Sequence, residues 1–284
     1  MVRQAIAYQA IIRFNSVECY HEIEIVIATH FMKTSNLAIE QHLFRSWPAL
    51  TTRHYDGWVL RFADGYTRRS NSVNPVYGSS YDAREKIAHC EALYRANGQN
   101  IAFRLTDAVY PPALGEILAD QGYNRSTPTS VQTLDLTHID TRFDGNLHIE
   151  PRLTESWLAD FTRINGTSER HLTTVKKILE IVYPPACFLT LHQNSETVAA
   201  GLGVCDGEYL GLFQIVTDGR YRHQGHGTIL TDGLLRWGQS NGAKLAYLQV
   251  VPENTPATAL YSKMGFHEAY QYWYWEKNLA PKLE

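Results

Sequence analysis

The hydrophobic and polar positions of the first half of the chain alternate between helical and strand patterns. Residues 36–47 repeat apolar side chains at helical spacing and stop at Pro48, and residues 81–99 do the same and stop at an Asn-Gly pair. Short runs rich in β-branched and aromatic residues predict strands, with a hairpin turn at Asp64-Gly65. The remaining predicted strands and short helix of this half are GWVLRFADG, YTRRSNSVNPV, NIAFRLTD, PALGEILADQG and SVQTLDL.

The second half predicts two helices, three successive strands, and then helix, strand, helix and strand. In order, these segments are TESWLADFTRING, HLTTVKKILEIVYPP, ACFLTLHQ, TVAAGLGVCDG, YLGLFQIVTD, GTILTDGLLRWGQSNG, KLAYLQVV, TPATALYSKMG and FHEAYQYWYWEK. Such an order is typical of a sheet covered by helices. The predicted fold class is therefore α/β, with a mixed and mostly antiparallel sheet.

One pattern occurs twice in the chain. Ile101–Tyr123 and Leu245–Phe266 both read as a strand, a loop with proline, a short helix, and a glycine followed by an aromatic residue. Two copies of one architecture are predicted, although strand-helix-strand units can also resemble one another by chance. The predicted organisation is an extension of unknown role over residues 1–31, a first domain over 32–136, a linker over 137–150 and a second domain over 151–284.

Composition narrows the classes of function. The 284 residues carry a net charge of −3 at pH 7, so no overall basic field favours nucleic acid or an acidic membrane surface. The four cysteines are scattered without metal-ligand spacing, so we expect no metal and a reducing, cytoplasmic environment. Without an apolar run of about 20 residues, no membrane span is predicted.

The stretch RYRHQGHGTIL, Arg220–Leu230, places two glycines where a strand leads into a helix. The unpaired N–H groups and positive dipole of a helix start bind phosphate, and glycines let the backbone approach it. Arg222 adds a cation nearby. The spacing differs from nucleoside triphosphate loops and from the three-glycine dinucleotide motif. Alone, the stretch is equally consistent with an ordinary capped turn.

In its context, the stretch resembles the acetyl-coenzyme A signature of the Gcn5-related N-acetyltransferases, R/Q-x-x-G-x-G/A. Three further family motifs follow in order: Asn254 after the next strand, ALY ending at Tyr261, and MGF at 264–266. The resemblance covers Arg152–Lys277 in full and the first half more faintly. The first half has no RxxGxG and has Leu118 in place of the tyrosine. The resemblance thus implies a tandem arrangement in which only the second half keeps the coenzyme chemistry.

The resemblance also implies roles for single residues. Tyr261 would act as general acid near the thioester sulfur, and Asn254 would contact the pantetheine arm. The strand edge that would pair with pantetheine is Ile215, Val216 and Thr217. The main-chain amides that would hold the pyrophosphate, beside the motif cation Arg222, are those of Gln224, Gly225, His226, Gly227 and Thr228. Taken singly, Tyr261 also fits a core aromatic and Asn254 a helix cap.

The implied activity is transfer of an acetyl group from acetyl-coenzyme A to an amine by direct attack, and we expect a small-molecule acceptor. A protein amine and a noncatalytic acetyl-coenzyme A-binding module remain alternatives. Arg61, Arg69 and Asn71 on the predicted hairpin could bind a carboxylate or phosphate of the acceptor, or could form a solvated face. No base is predicted. The groups considered were Glu208, Gln214, His223, His226 and Glu253.

Overall fold

A computed structural model describes residues 36–107, 109–137 and 147–279. The chain divides into two compact units, residues 1–39 and 40–284. Of the first unit, residues 36–39 are described, and they are helical. The predicted extension over residues 1–31 lies outside the described residues, as do residues 138–146 of the predicted linker. The domain boundaries stay predictions. Below, "first half" means residues 40–137 and "second half" means residues 147–279.

The described residues form seven α-helices and twelve strands. The helices are α1 at residues 36–46, α2 at Ala83–Ala96, α3 at Leu114–Asp120, α4 at Glu155–Asn165, α5 at Glu169–Glu180, α6 at His226–Ser240 and α7 at Thr255–Lys263. The strands are β1 at Thr51–Tyr55, β2 at Trp58–Phe62, β3 at Val73–Asn74, β4 at Ile101–Thr106, β5 at Asn124–Arg125, β6 at Thr129–Asp135, β7 at Leu147–Glu150, β8 at Ala186–Gln193, β9 at Glu196–Asp206, β10 at Tyr209–Thr217, β11 at Leu245–Val250 and β12 at His267–Lys277.

All twelve strands belong to one mixed sheet, in the order β1-β2-β3-β4-β12-β6-β11-β10-β9-β8-β7, with β5 paired to β12. Within the described residues, β3 runs parallel to β4 and β10 runs parallel to β11, and the other pairs are antiparallel. The two parallel pairs stand at equivalent places, because β4 and β11 are the strands of the two repeated segments. The sheet confirms the predicted fold class.

The two halves exchange a strand across the centre of this sheet. Strand β6 follows the helix of the first repeat but pairs with β11, whereas β12 follows the second repeat but pairs with β4. Leu134 of β6 and Leu136 just after it accordingly pack in the hydrophobic core of the second half. Leu279, just after β12, packs in the core of the first half. The exchange makes the sheet continuous.

The helices lie where their apolar faces predict them. On α2, the side chains of Ile87, Cys90 and Tyr94 recur at helical spacing and are fully buried. Asp82 caps this helix, since its carboxylate accepts from the N–H of Arg84 at 2.9 Å and of Glu85 at 3.1 Å. These local signals explain why this helix was predictable from its sequence.

The predicted strand YTRRSNSVNPV is wrong over most of its length. Arg68–Ser70 form a short 3₁₀ helix, and only Val73–Asn74 pair as β3. The reason is the side chain of Asn71, whose Nδ2 donates to the carbonyls of Tyr66 and Thr67 at 2.8 Å and whose Oδ1 accepts from Ala63 N–H at 2.8 Å. These bonds fold the segment back on itself, so it cannot extend.

Three strands escaped prediction, namely β1, β7 and the two-residue strand β5. Strand β1 joins β2 through Asp56-Gly57, where both residues have positive φ, 42° and 79°. This Asp-Gly hairpin turn could have been found by the rule that was applied to Asp64-Gly65. Asp64-Gly65 itself lies in a ten-residue connection between β2 and β3, so the tight hairpin predicted there is wrong. Strand β7 lies inside the predicted linker and pairs with β8. Its four residues were too few to stand out from their polar surroundings.

Candidate active site

Strands β10 and β11 separate to form a cleft in the second half. Their parallel pairing covers only Tyr209–Gly211 against Leu245–Tyr247, the first part of each strand. From Leu212 onward, the edge of β10 that faces β11 is not paired with it. This open edge includes the predicted pantetheine-binding residues 215–217.

A β-bulge marks the place where β10 leaves its neighbour. Phe213 pairs with Leu202 and Val216 pairs with Ala200, so β10 carries one residue more than β9 between the two pairs. Gln214 in this bulge has a φ of 52°, in the left-handed region. Its Nε2 donates to the Tyr66 hydroxyl of the first half at 3.3 Å. The bulge is thereby held by a residue of the first half.

The turn before helix α6 needs its two glycines for different reasons. Gly225 is the N-cap with a φ of 85°, which other residues rarely adopt. Gly227 is needed for space, because a Cβ there would lie 3.0 Å from Leu260 Cδ1 on α7. The Thr228 N–H already donates to the Gly225 carbonyl at 3.0 Å. The amides left without intrahelical partners therefore precede Thr228.

A carboxylate fixes the loop that leads to this turn. Asp218 accepts from Arg220 N–H at 3.0 Å, from the Arg220 Nη2 at 3.0 Å and from Arg163 Nη1 at 3.0 Å. The hydrogen bonds from Arg220, foremost, hold the pKa of Asp218 well below its ordinary value. Arg222 and Gln224 are exposed, and Arg222 has no carboxylate partner in the described part of the chain. Its charge is thus available to a ligand.

His226 lies between the two glycines. Both of its ring nitrogens are buried and have no hydrogen-bond partner among the described residues. The ring centre lies 6.2 Å from that of Tyr221. No polar group of the described residues therefore holds the His226 ring in place.

Helix α7 carries both remaining predicted residues of the site. Asn254 caps the helix, since its Oδ1 accepts from Ala257 N–H at 3.4 Å. Tyr261 is 8% exposed and its ring lies 5.8 Å from that of Phe266. Its hydroxyl has no hydrogen-bond partner within residues 36–279 as described, and burial raises its pKa to about 12.

The bulged strand, Asn254 and Tyr261 line one cleft of about 480 Å³, whereas no residue of 217–228, which include the glycine turn, lines it. The bulged part of β10 forms one wall and β11 the other, with Asn254 and Tyr261 at the end of β11 and on α7. Thr67, Arg68 and Arg69 of the first half close the cleft from the opposite side. The glycine turn packs on α7 through the contact between Gly227 and Leu260, next to Tyr261 in the sequence.

Comparisons with known proteins agree with this geometry. Residues 34–275 match the family model described as "Probable histone acetyltransferase Rv0428c C-terminal". The N-acetyltransferase YobR of Bacillus subtilis (strain 168) is 32% identical over 237 residues, which cover 80% of this chain and 93% of that protein. The fold matches a GCN5-related N-acetyltransferase from Kribbella flavida with a TM-score of 0.63 at 15% identity, over 87% of this chain and 96% of that one. The chain belongs to the GCN5-related N-acetyltransferases.

Other relatives bear on the tandem arrangement and on the acceptor. A tandem GNAT protein from the clavulanic acid biosynthesis pathway shares the fold with a TM-score of 0.62 at 13% identity, over 86% of this chain and 88% of that one. The [ribosomal protein bS18]-alanine N-acetyltransferase of Escherichia coli (strain K12) is 27% identical over 144 residues, which cover 51% of this chain and 82% of that protein. The predicted family is confirmed and the protein is an N-acetyltransferase, whereas the tandem arrangement of this chain stays a prediction.

Acetyltransferases of this family use acetyl-coenzyme A, and the residues present fit it. The amides before Thr228 lack intrahelical partners, and the edge of β10 beyond Gly211 lacks its β11 partner. The described residues contain no group of three or more His, Cys, Asp or Glu side chains that could hold a metal ion. Among the helices that are described, none is long and apolar enough to cross a membrane.

The three hairpin residues predicted to bind the acceptor lie in different places. Arg61 is buried, and its guanidinium donates to the carbonyls of Trp47 and Arg69. Asn71 is also buried and is occupied by the turn described above. Only Arg69 lines the cleft, with its Cζ 5.3 Å from the centre of the Trp47 ring. Burial and backbone contacts therefore favour a structural role for Arg61 and Asn71.

The groups considered as a base are also dispersed in the acetyltransferase. Glu208 is paired with Lys244 at the closed end of β10, and His223 and Glu253 are exposed and outside the cleft lining. Gln214 lines the cleft, but an amide is not a base. Among the described residues, no Asp, Glu or His side chain lines the cleft.

Sequence reasoning missed several residues of the cleft. Tyr272 and Tyr274 of β12 line it, and the Tyr272 hydroxyl donates to Gln249 Oε1 at 2.8 Å. Arg68 lines it as well, with its Cζ 4.6 Å from the centre of the Tyr274 ring. The alternation in YQYWYW indicated that the two faces of β12 carry different side chains. It could not show that this strand pairs with a strand of the first half.

Proposed function

We propose that this acetyltransferase transfers the acetyl group of acetyl-coenzyme A to the amine of a small molecule, by direct attack of the amine. One observation carries the proposal: the unpartnered hydroxyl of Tyr261 lies in the same cleft as the unpaired edge of β10. A strand edge binds an extended chain, and a phenol beside it can deliver a proton to a group bound there.

The coenzyme would be held at two places. The amides of Gln224, Gly225, His226 and Gly227 and the side chain of Arg222 would bind the pyrophosphate at the start of α6. Thr228 is the weakest member of the predicted set, because its amide already donates to Gly225. The edge at Ile215, Val216 and Thr217 would bind the pantetheine, with the side of the cleft at Asn254 beside it. When bound, acetyl-coenzyme A supplies the acetyl group as a reactive thioester.

Tyr261 is suited to the role of general acid. As the amine nitrogen bonds to the acetyl carbon, the carbon–sulfur bond would break and the departing thiolate would take the phenolic proton. The acylated nitrogen would lose its extra proton to solvent, and the Tyr261 phenolate would take up a proton from solvent. The raised pKa of Tyr261, about 12, keeps the phenol protonated at neutral pH. Because no other polar group of the described residues engages the hydroxyl, it is free to donate to the sulfur.

The cleft favours a neutral amine over an ammonium ion. Of its two charged side chains, Arg68 is paired with Glu276, whereas Arg69 has no carboxylate partner among the described residues, so its charge would lower the pKa of a bound amine. The amine therefore loses its proton to solvent on entry, instead of to a side chain of the cleft. Arg69 is the one predicted acceptor-binding residue that can contact the acceptor directly.

A small acceptor is favoured by the residues that close the cleft. Thr67–Arg69 face the bulged strand from the first half and leave a volume of about 480 Å³. The second candidate is a protein amine, which the name of the bS18-alanine N-acetyltransferase and the description of the matching family model favour. A peptide terminus would need to enter past the same three residues.

Thiol release from acetyl-coenzyme A, measured over a panel of small amines and a panel of peptides with free N-termini or lysines, tests the proposal. We expect turnover with small amines and a kcat/KM at least tenfold lower for every peptide. Turnover confined to peptides would show a protein acceptor. Coenzyme binding without turnover on either panel would contradict both.

A further inference from the structure

A second cavity, of about 790 Å³, adjoins the cleft in the first half. Thr67 and Arg68 line both spaces. Strand β12 borders both as well: Tyr272 and Tyr274 line the cleft, and Glu276 lines the second cavity. Alternate residues of a strand point to the same face of the sheet. The two spaces are therefore successive parts of one groove along β12.

Arg68 stands at the junction. Its Nη1 lies 2.8 Å from Glu276 Oε2, and its guanidinium packs over the Tyr274 ring. Thr67 before it has φ 57° and ψ 138°, a conformation that β-branched residues rarely adopt. The hydrogen bond from Asn71 Nδ2 to the Thr67 carbonyl, at 2.8 Å, helps to hold this backbone. The backbone of Thr67 and the side chain of Arg68 are therefore both held in place where the two spaces meet.

The second cavity has more positive than negative side chains. Its lining cations are Arg68, Arg125, Arg170 and Lys277, and its lining acids are Asp64 and Glu276. Two of the cations are neutralised, since Arg68 pairs with Glu276 and Lys277 pairs with Glu91 at 2.9 Å. Neither Arg125 nor Arg170 has a carboxylate partner within the described residues. In a chain with a net charge of −3, this local excess points to an anionic ligand.

The guanidinium groups of Arg125 and Arg170 are held by neighbouring side chains but keep N–H groups that can bind a ligand. Arg125 lies over the Trp273 ring with its Cζ 4.2 Å from the ring centre, and stacking leaves the N–H groups at its edge free. Arg170 donates its Nε–H to His171 Nε2 at 3.0 Å, which leaves its Nη groups. A guanidinium fork binds a carboxylate or a phosphate through two parallel hydrogen bonds.

We propose that the acceptor is an amine that carries a carboxylate or phosphate group. Its amine reaches the cleft beside Tyr261, and its anionic group binds Arg125 and Arg170 in the second cavity. This inference rests on the proposed function for the place of the amine. It adds the class of the acceptor and assigns the first half a part in recognising it.

Calorimetric titration of the whole protein with matched probes tests the second cavity without turnover. The probes are a series of ω-amino carboxylates against alkylamines of equal chain length, and O-phosphoethanolamine against ethanolamine. We expect at least one anionic member to bind about tenfold or more tightly than its neutral counterpart. The Arg125→Gln/Arg170→Gln variant should lose that preference, and Arg125→Lys/Arg170→Lys should keep part of it.

The matched control is Arg53→Gln/Arg84→Gln, which removes two exposed charges outside both spaces and should bind as the wild type does. Unfolding curves of all variants separate lost binding from lost structure. Equal binding of anionic and neutral probes, or an unchanged preference in the Gln variant, would overturn the inference. If anionic probes bind as expected but no amine releases thiol, the proposed function fails while the anion site stands. If amines release thiol but anionic and neutral probes bind equally well, the proposed function stands while the anion site fails.

Discussion

A Cβ on Gly227 would lie 3.0 Å from Cδ1 of Leu260, so helices α6 and α7 meet at a glycine. Leu260 precedes Tyr261, which lines the cleft. The glycine turn at the start of α6 and the tyrosine on α7 therefore belong to one packed unit. A change in the turn should be felt both in coenzyme binding and in stability.

Gly227→Ala should raise the KM for acetyl-coenzyme A about tenfold and lower the free energy of unfolding by about 1–3 kcal/mol, the usual cost of overpacking. The added methyl group has to displace Leu260 or tilt α6. Gly219→Ala is the matched control, because no atom lies within 4 Å of its added Cβ. Steady-state kinetics and urea unfolding measure both effects. A Gly227→Ala variant indistinguishable from Gly219→Ala would show that the contact is unimportant.

Gly225 tests backbone conformation alone, since nothing lies within 4 Å of a Cβ placed there. Gly225→Ala should cost about 1–2 kcal/mol, because its φ of 85° is unfavourable for L-residues. Gly225→Asn should cost less, since asparagine tolerates the left-handed region better. Chemical unfolding of the three proteins gives the order. Equal stability of the Ala and Asn variants would contradict this account.

This turn was predictable because its requirements are local. Glycines, a preceding strand and a following helix all lie within about fifteen residues of sequence. The order of strands β8–β10 could be predicted from the sequence for the same reason, because turn residues separate neighbouring strands. The part of the cleft that faces the acceptor could not be predicted from the sequence. It depends on the pairing of β12 with β4, whose residues lie more than 150 positions apart in the sequence.

The hairpin of the first half shows a second limit. Alternation places Arg69 and Asn71 on one face of a strand, but the side chain of Asn71 binds five backbone groups and breaks the strand. The order of side-chain types along the sequence does not show which polar side chains form hydrogen bonds with the nearby backbone and are therefore not available to a ligand. The role predicted for Arg61 fails for the same reason, because its guanidinium donates to the backbone carbonyls of Trp47, just after α1, and of Arg69 in the hairpin.

Tyr261→Phe should lower kcat by about 10²–10⁴-fold and leave acetyl-coenzyme A binding unchanged, because only the proton donor is removed. Stability should hardly change, since the hydroxyl has no hydrogen-bond partner in the described residues to lose. Tyr247→Phe is the control: this tyrosine is fully buried and bonded to Ser46, outside the cleft. Thiol release and calorimetry distinguish the two. A Tyr261→Phe enzyme with wild-type kcat would exclude the tyrosine as the acid.

The pKa of Tyr261 fixes the alkaline limb of the pH profile. Because burial raises this pKa to about 12, the phenol stays protonated through pH 10 and only loses its proton above that range. Thiol release corrected for uncatalysed hydrolysis should therefore rise from pH 6 as the amine loses its proton, and then level without falling up to pH 10. A fall with a midpoint between pH 8 and 10 would contradict a buried tyrosine acid.

Asp56 should make the first half sensitive to acid. Its carboxylate accepts from the N–H groups of Tyr81 and Ser80 and from Lys86 Nζ at 2.9–3.1 Å, and these bonds, the Tyr81 N–H foremost, hold its pKa well below the ordinary value. A carboxyl group with a lowered folded-state pKa stabilises the fold above its unfolded pKa, near 3.9, and loses this contribution as the pH falls towards the folded value. Urea unfolding between pH 7 and pH 3 should therefore show a steeper loss of stability in the wild type than in Asp56→Asn. Asp120→Asn, at a carboxylate 67% exposed, should follow the wild type. Parallel curves for the wild type and Asp56→Asn would mean that the carboxylate has no such role.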